Sequence, residues 1–267
     1  MMRRARATVS YDGTDLHGFA ESAPDVPTVA GVLREAIETV VRHPVELIGA
    51  GRTDAGVHAV GQVISLDLNE EVDLAGLERR LNRMCGPQIA VRDLTWADHP
   101  GFHARFDADY RRYRYDVFEA PSPHPLLART TWHVTRPLEV WAMQLACDPL
   151  IGEHDFASFC RRPKPEPGRE PVSLVRRILG ADWHEVAVEP AGIGRLLRFE
   201  ITATAFCHQM VRSIVGTLVE VGAGTLHAGD VRGILLRRDR QAAGPVAPPH
   251  GLTLWDVGYG AGGRPAR

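Results

Sequence analysis

The sequence predicts an α+β protein that is built from two similar halves. Three observations support this fold class: helical and strand periodicities are mixed along the chain, both halves contain similar elements, and prolines interrupt the chain near its middle. Pro121, Pro123 and Pro125 separate an N-terminal half at 1–118 from a C-terminal half at 126–259. The Gly-rich residues 260–267 are expected to form a flexible tail.

The N-terminal half reads as strands and helices in alternation. Residues 7–11 form the first predicted strand, which ends at the turn Asp12-Gly13. A helix follows Thr28, because Thr28 is a good N-cap and apolar residues then recur at intervals of three and four from Val29. Further predicted elements are a short strand at 45–48, a strand at 60–68 and a helix at 74–83, with the Gly-rich segment 49–56 between the strands.

The C-terminal half is preceded by a strand whose residues alternate in polarity. Over residues 110–118, Tyr113 and Tyr115 face one side, and Arg112 and Arg114 face the other. Beyond the prolines, the predicted elements are helices at 138–150, 208–221 and 230–237, strands at 176–189 and 196–205, and a Pro-rich loop at 163–171.

Composition excludes several classes of protein. Hydrophobic residues make up 44% and charged residues 24% of the chain, and no apolar run approaches the roughly 20 residues that span a bilayer. The basic N-terminus leads into no apolar signal segment, so we expect a cytoplasmic protein with no membrane partner. The four cysteines form no C-x-x-C pair and no histidine cluster has zinc spacing, so we expect reduced thiols, no metal and no disulfide.

The basic residues are clustered, although the net charge is -2. One cluster lies at 161–177 and begins with Arg161 and Arg162, and a second lies at 232–240. Clustering is what binding to a phosphate backbone requires, so this pattern favours a nucleic-acid ligand. A solvated face in an Arg-rich protein is an equally consistent interpretation of the charge pattern alone.

The Gly-rich segment 49–56 resembles a phosphate-binding loop but fails the two best-known patterns. A dinucleotide fingerprint needs a third glycine where Asp54 stands, and a carboxylate would repel a pyrophosphate. A P-loop needs a lysine where Val57 stands. What is left is a carboxylate on a tight loop between two strands, with Arg52 two residues before it. An isolated aspartate there would more often form an Asx-turn than a catalytic site.

A family resemblance favours the catalytic interpretation of Asp54 over the Asx-turn. Gly51-Arg52-Thr53-Asp54-Ala55-Gly56-Val57-His58-Ala59 resembles the signature of the tRNA pseudouridine synthase A family. Other motifs of that family follow in order over nearly the whole chain: Tyr11-Asp12-Gly13-Thr14, Phe102-His103-Ala104-Arg105-Phe106, Tyr113-Arg114-Tyr115, 152–159, 206–216 and 243–254. Two segments depart from the family pattern, 18–22 and 84–91, and neither contains a proposed catalytic residue.

The resemblance implies the pseudouridine synthase fold, with two similar α/β halves, a shared and mostly antiparallel central sheet, and a catalytic cleft between the halves. It implies a homodimer that converts uridine to pseudouridine at positions 38 to 40 of the tRNA anticodon arm without a cofactor. By the same resemblance, Asp54 is the catalytic carboxylate, Tyr113 lies against the target uracil, and Arg212 pairs with the aspartate. Arg52 contacts RNA near the flipped nucleotide, and Leu254 packs near the base.

The chemistry accounts for these residue types. Uracil must leave C1′ of the ribose, turn and rejoin through C5, which develops positive character at C1′ and negative charge on the base. A carboxylate meets the first demand by covalent or electrostatic means, and a neighbouring cation keeps it ionised. An aromatic ring holds the loose base by stacking once the base has left the helix.

Other interpretations of the same residues stay open at this point. Tyr113 and Tyr115 on an alternating strand are more often core residues, and a structural ion pair is an alternative role for Arg212 on its apolar helix face. His58, His103 and His208 are better explained as packed or RNA-edge residues than as acid–base groups. A tRNA-binding or tRNA-folding protein without catalysis is the alternative function, and an intact Asp54 with Tyr113 and Arg212 favours the enzyme.

Overall fold

A computed structural model describes residues 1–21, 23, 25–162, 168, 171–188 and 192–260. Its contacts divide the chain into two compact units. The first unit comprises Met1–Arg111 together with the described residues from Thr253 onward, and the second comprises Arg112–Leu252. The boundaries predicted from sequence, 1–118 and 126–259, stay a prediction about domains. Of the predicted tail 260–267, all but Gly260 lies outside the described residues.

The described residues form strands and helices in mixed order along the chain. In chain order they are β1 (Met2–Tyr11), α1 (Val29–Val41), β2 (Ile48–Gly49), β3 (His58–Asn69), α2 (Leu74–Cys85), β4 (Ile89–Trp96), β5 (Ala108–Glu119), β6 (Trp132–Val134), α3 (Val140–Leu145), β7 (Gly152–Asp155), β8 (Val175–Val186), β9 (Arg195–Ala203), α4 (Met210–Gly222), α5 (Asp230–Arg237) and β10 (Leu252–Tyr259). Single 3-10 turns lie at Asp148–Leu150, Arg240–Ala242 and Pro249–Gly251.

In the first unit, the strands follow the order β4-β1-β3-β10, and β2 pairs with β3. β1 is antiparallel to both of its neighbours, with Ala7 opposite Ile64 on β3 and Val9 opposite Val91 on β4. Alternate residues of β1, including Ala7 and Val9, are buried, as the period of a strand requires. α1 begins at the predicted cap, where the Thr28 hydroxyl oxygen accepts from the Gly31 amide.

In the second unit, the strands follow the order β5-β9-β8-β7, with the short β6 paired to β5. The predicted alternation of β5 is confirmed over residues 112–117: Tyr113, Tyr115 and Val117 are buried, while Arg112, Arg114 and Asp116 are partly exposed. On the partly exposed face, an ion pair links β5 to β9. Asp116 on β5 accepts two hydrogen bonds of 2.8 Å from the guanidinium of Arg198 on β9. An Arg–carboxylate pair of this bidentate kind fixes the orientation of both side chains.

The predicted α+β class with a mostly antiparallel sheet is confirmed, and the local errors have physical causes. The predicted helix at 138–150 is two pieces, α3 and a 3-10 turn, because Pro149 has no amide to donate. The predicted strand at 45–48 is wrong except for Ile48, where β2 begins. β4 and β7 were not predicted as strands, and β1 begins five residues earlier than expected. Among the described helices, none is long and apolar enough to cross a membrane.

Candidate active site

Asp54 lies on the loop that joins β2 to β3 in the first unit. The two strands are antiparallel, with Ile48 opposite Ser65, and the Ala50 amide extends the pairing by donating to Val63 at 2.8 Å. The chain then departs from the sheet at Gly51 and returns at β3. Along this loop Arg52 is exposed and Asp54 is half-buried. A hairpin end of this kind holds a short polar side chain at a defined place, which is what a catalytic carboxylate requires.

Two buried polar side chains hold the loop before Asp54. Gln62 has no exposed surface, and its amide contacts Gly51 twice: Nε2 donates to the carbonyl at 2.7 Å, and Oε1 accepts from the amide at 3.2 Å. The buried Tyr11 hydroxyl hydrogen-bonds the Thr53 hydroxyl at 2.8 Å. Burial raises the pKa of Tyr11 to about 12, against smaller opposing effects of its hydrogen bonds to Thr53 and Gln62. The backbone is thereby fixed on both sides of Arg52.

The first of the two segments that depart from the family pattern, 18–22, packs directly against this loop. The Phe19 amide donates to the Thr53 carbonyl at 3.1 Å, and Gly18 adopts a φ of 91°. A side chain at Gly18 would press on the backbone of Thr53 and Asp54, so this position requires glycine for space as well as for conformation. Phe19 is buried, and its ring leaves no room for a side chain at Gly49. Ser22, at the end of the departing segment, lies outside the described residues.

Leu254 and His58 lie just beyond the loop. Leu254 on β10 is fully buried and pairs in parallel register with Ala59 on β3. His58 is buried too, and its Nδ1 accepts from the Gly13 amide at 3.1 Å and lies 3.1 Å from the Asp12 carboxylate. Of the two roles predicted for His58, packed or RNA-edge, its burial fits the packed one. The proposed contact of Leu254 with the base stays a prediction.

In the second unit, Tyr113 lies on the buried face of β5. It is 7% exposed and packs edge-on against Phe206, with ring centroids 5.1 Å apart and planes at 89°. Tyr115 is fully buried, and its hydroxyl donates to the Pro248 carbonyl at 2.8 Å, so the core role predicted for it is confirmed. Burial raises the pKa of Tyr115 well above its usual value, and the positive charge of Arg212 offsets part of that rise.

Arg212 lies on α4 and is tied to the segment that precedes β10. Its Nε donates to the Ala247 carbonyl at 2.7 Å, and the Ala247 amide donates back to the Arg212 carbonyl at 3.1 Å. The segment approaches the helix closely because Gly216 has no side chain; a Cβ there would overlap the Pro245 carbonyl. The Gly244 amide also donates to the Thr217 hydroxyl at 2.9 Å. These contacts fix the guanidinium while leaving Arg212 partly exposed.

Arg161 and Arg162 are both exposed in the second unit. The Arg161 amide donates to the His208 carbonyl at 3.0 Å, which anchors this pair beside the segment that enters α4. Lys164 and Arg169, in the same basic cluster, lie outside the described residues. All four cysteines are free thiols, and in the part of the chain that the structure describes no His, Cys, Asp or Glu side chains group to hold a metal ion.

Sequence reasoning missed the residues that support the Asp54 loop. Gln62 is a polar residue in a mostly apolar strand, and this was an available signal. Arg111 is 8% exposed beside the buried Tyr110, and it breaks the two-residue alternation of β5. Its guanidinium donates to the Ala50 carbonyl at 3.1 Å through Nη2, so it holds the chain where the loop begins. Tyr11 lies in the motif Tyr11-Asp12-Gly13-Thr14, but that motif does not show that its hydroxyl contacts Thr53.

Comparison with known proteins identifies the family. A sequence model described as tRNA pseudouridine synthase matches residues 7–107 and 146–260 of this chain. The chain belongs to the tRNA pseudouridine synthase family. A tRNA pseudouridine synthase A of Frankia casuarinae is 45% identical over 258 residues, which cover 96% of this chain and 89% of the relative. Another, of Brevibacillus brevis, is 40% identical and covers 97% of this chain and 100% of the relative.

Family membership confirms the resemblance and the predicted class of enzyme, an isomerase of the tRNA pseudouridine synthase type. The two matched ranges contain six of the seven predicted site residues, namely Arg52, Asp54, Arg161, Arg162, Arg212 and Leu254. Tyr113 falls between the matched ranges. Its proposed role therefore depends on the local motif Tyr113-Arg114-Tyr115 and on its neighbours in the structure.

Proposed function

We propose that this synthase isomerises uridine to pseudouridine at positions 38 to 40 of the tRNA anticodon stem-loop, with Asp54 as the catalytic carboxylate. The observation that carries the proposal is the construction of the Asp54 loop. Hydrogen bonds from the buried Gln62 and Tyr11 side chains hold Gly51 and Thr53, yet the carboxylate that follows them is not fully buried. A framework that orders a half-exposed carboxylate fits a group that meets a substrate better than an Asx-turn.

The reaction needs three things from the protein. The bond between N1 of uracil and C1′ breaks, the base turns, and C5 bonds to C1′. The hydrogen on C5 leaves as a proton, and N1 takes up a proton in place of its lost bond, so the product is an isomer of the substrate. Asp54 stabilises the electron-poor sugar or the base by covalent attack or by its charge. Arg212 supplies the positive charge that keeps the carboxylate ionised, and Tyr113 supplies the ring against which the uracil lies. The balance of atoms requires no redox change, so we propose no cofactor.

The remaining predicted residues are proposed as substrate contacts. Arg52 is exposed two residues before Asp54, which suits a contact with RNA beside the target nucleotide. Arg161 and Arg162 are exposed and anchored through the backbone, which suits contacts with phosphates. Leu254 is proposed to pack near the base. We further propose a cytoplasmic homodimer; the resemblance to the tRNA pseudouridine synthase A family supports both points.

Loss of the C5 hydrogen gives a direct test. Transfer RNA that carries tritium at C5 of uridine should release tritium when mixed with the protein, and excess chelator should not slow the release. Asp54→Asn preserves side-chain size and removes the charge, so it should bind tRNA normally and reduce release by more than about 10³-fold, as loss of an essential nucleophile does. Sequencing of the product for pseudouridine would locate the modified positions.

Two outcomes would contradict the proposal in different ways. If the wild-type protein binds the anticodon stem-loop and releases no tritium, the non-catalytic tRNA-binding alternative is correct. If Asp54→Asn turns over at the wild-type rate, the protein is an enzyme and Asp54 is not its catalytic carboxylate. Tritium release with pseudouridine at positions other than 38 to 40 would reject only the proposed substrate position.

A further inference from the structure

The turn Phe102–Asp107 in the first unit presents an aromatic and cationic group to solvent. Phe106 is 74% exposed, which is unusual for so large an apolar side chain. The His103 ring lies against it, with centroids 4.3 Å apart and planes at 32°, and the Arg105 guanidinium lies 5.6 Å from the Phe106 centroid. Arg105 makes no ion pair with any residue that the structure describes. These three side chains form the Arg105–Phe106 cluster.

The backbone beneath the Arg105–Phe106 cluster is held at several points. The Nδ1 atom of His103 accepts from the amides of Arg105 at 3.2 Å and Phe106 at 3.3 Å. The Asp107 carboxylate accepts from the His103 amide at 2.9 Å. Ala104 between them is fully buried, and its carbonyl accepts from the Tyr259 hydroxyl at 2.6 Å. The exposed ring is therefore displayed by an ordered turn, so that binding to it does not first have to order a loop.

One buried side chain joins this turn to the Asp54 loop. The Arg111 guanidinium donates to the Arg105 carbonyl and, at 3.1 Å, to the Ala50 carbonyl where the Asp54 loop begins. The same guanidinium donates through Nη1 to the Ala108 carbonyl at 3.1 Å. The two surface features thus share one hydrogen-bonding group, the Arg111 guanidinium.

We propose that an unpaired nucleobase of the tRNA substrate stacks on Phe106 while Arg105 contacts a neighbouring phosphate. An exposed ring offers a stacking surface that every base fits, and an adjacent guanidinium adds both charge and a planar face. Both features are typical of surfaces that bind single-stranded nucleic acid. This inference depends on the proposed function only for the identity of the RNA.

The test compares three variants with the wild-type protein. Phe106→Ala should raise the Kd for tRNA and the KM for tritium release by about 5- to 150-fold, the range for losing one base stack, with kcat changed by less than about twofold. Phe106→Trp preserves a stacking surface and should bind as tightly as wild type. Trp141→Ala is the matched control. Trp141 is another exposed aromatic residue, at 68%, but it lies on α3 in the second unit. It should change neither constant.

A salt titration tests Arg105 separately. Arg105→Gln should reduce the slope of log Kd against log salt by about one, as expected when one phosphate contact is lost. A fully paired RNA duplex should bind wild type and Phe106→Ala equally, because it offers no free base.

An unchanged Kd and KM for Phe106→Ala, in a variant that unfolds at the wild-type temperature, would overturn the inference while leaving the proposed function intact. If wild type releases no tritium but Phe106→Ala still weakens tRNA binding, the proposed function fails and the stacking surface stands.

Discussion

The Asp54 loop and the segment around Arg212 carry the two charged groups of the proposed chemistry, and they are held by different means. At the loop, the buried side chain of Gln62 hydrogen-bonds the backbone of Gly51, and the buried Tyr11 hydroxyl hydrogen-bonds the Thr53 hydroxyl. At α4, by contrast, Gly216 brings the helix that carries Arg212 into close backbone contact with the segment at Pro245. Both regions contain hydrogen bonds and glycines, but the loop is distinguished by its buried side-chain hydrogen bonds and α4 by its very close backbone approach at Gly216.

This difference predicts different consequences of substitution. A hydrogen-bonded loop that loses one partner can relax locally. Such a loss should therefore displace Asp54 while lowering the free energy of unfolding only modestly. A close backbone contact has no room to relax, because interiors are packed to crystal-like density. Substitution there should therefore unfold the protein before it alters the chemistry. Three variants examine this comparison, in order of the expected effect on stability.

The largest effect is expected at Gly216. In Gly216→Ala the new methyl group would overlap the Pro245 carbonyl, so the segment that holds Arg212 must shift. We expect the free energy of unfolding to fall by about 3 kcal/mol, as for an overpacked core. Urea denaturation of both proteins measures this. Gly233→Ala is the control: Gly233 lies in α5 with nothing within 4 Å of an added Cβ, and the change should stabilise that helix by up to about 1 kcal/mol. Equal stability of the two variants would show that the contact at Gly216 is not tight.

A smaller loss of stability, but a larger loss of rate, is expected at Gln62. Gln62→Leu leaves both polar groups of Gly51 without their partner, which should cost about 1 to 3 kcal/mol of unfolding free energy. Displacement of the loop should lower kcat by roughly 10- to 100-fold with little change in the KM for tRNA. Single-turnover tritium release separates these constants.

Gln144→Leu is the matched control for Gln62→Leu. Gln144 lies in the second unit, where its Oε1 accepts from the Trp183 amide at 2.7 Å. It should show a similar loss of stability and a normal kcat. If both variants lose activity equally, Gln62 acts through general stability rather than through the position of Asp54.

Local patterns in the sequence predicted local structure well. The bounds of α5 match the predicted 230–237, and the Thr28 cap of α1 forms as expected, because both depend on residues within a few positions of one another. The error at Pro149 is of the same local kind: the apolar periodicity continued through a residue that cannot donate. Family motifs pointed to Asp54 and Arg212 as site residues, because each lies within a contiguous, distinctive segment, and their roles stay a prediction.

The supports of the Asp54 loop required knowledge of the register between strands. Tyr11 and Thr53 are 42 residues apart, and they meet only because β1 and β3 pair in one particular alignment. Sequence periodicity says which face of a strand is buried but not which residues lie opposite one another. The contact of Gly216 with Pro245 could not be predicted from the sequence either. A glycine in a helix is usually interpreted as a position that destabilises the helix, not as a point of close approach.

The smallest effect, and the one with a distinctive pH dependence, is expected for Tyr11→Phe. At pH 8 the variant loses one buried hydrogen bond to Thr53, so its free energy of unfolding should fall by about 1 kcal/mol. Burial raises the pKa of Tyr11 to about 12 in the folded protein, whereas an unfolded tyrosine ionises near its usual value of about 10. Wild type should therefore lose stability as the pH rises from about 10 towards 12, because the unfolded chain releases the proton first.

This loss amounts to roughly 2 kcal/mol by pH 11.5 and is absent from the variant, so the order of stability should reverse between pH 8 and pH 11.5. Other buried tyrosines titrate in both proteins and cancel in the difference. Urea denaturation at the two pH values measures that difference directly. A constant gap between wild type and Tyr11→Phe would mean that the hydroxyl reaches water, and the Asp54 loop would then be less firmly held than its hydrogen bonds to Gln62 and Tyr11 indicate.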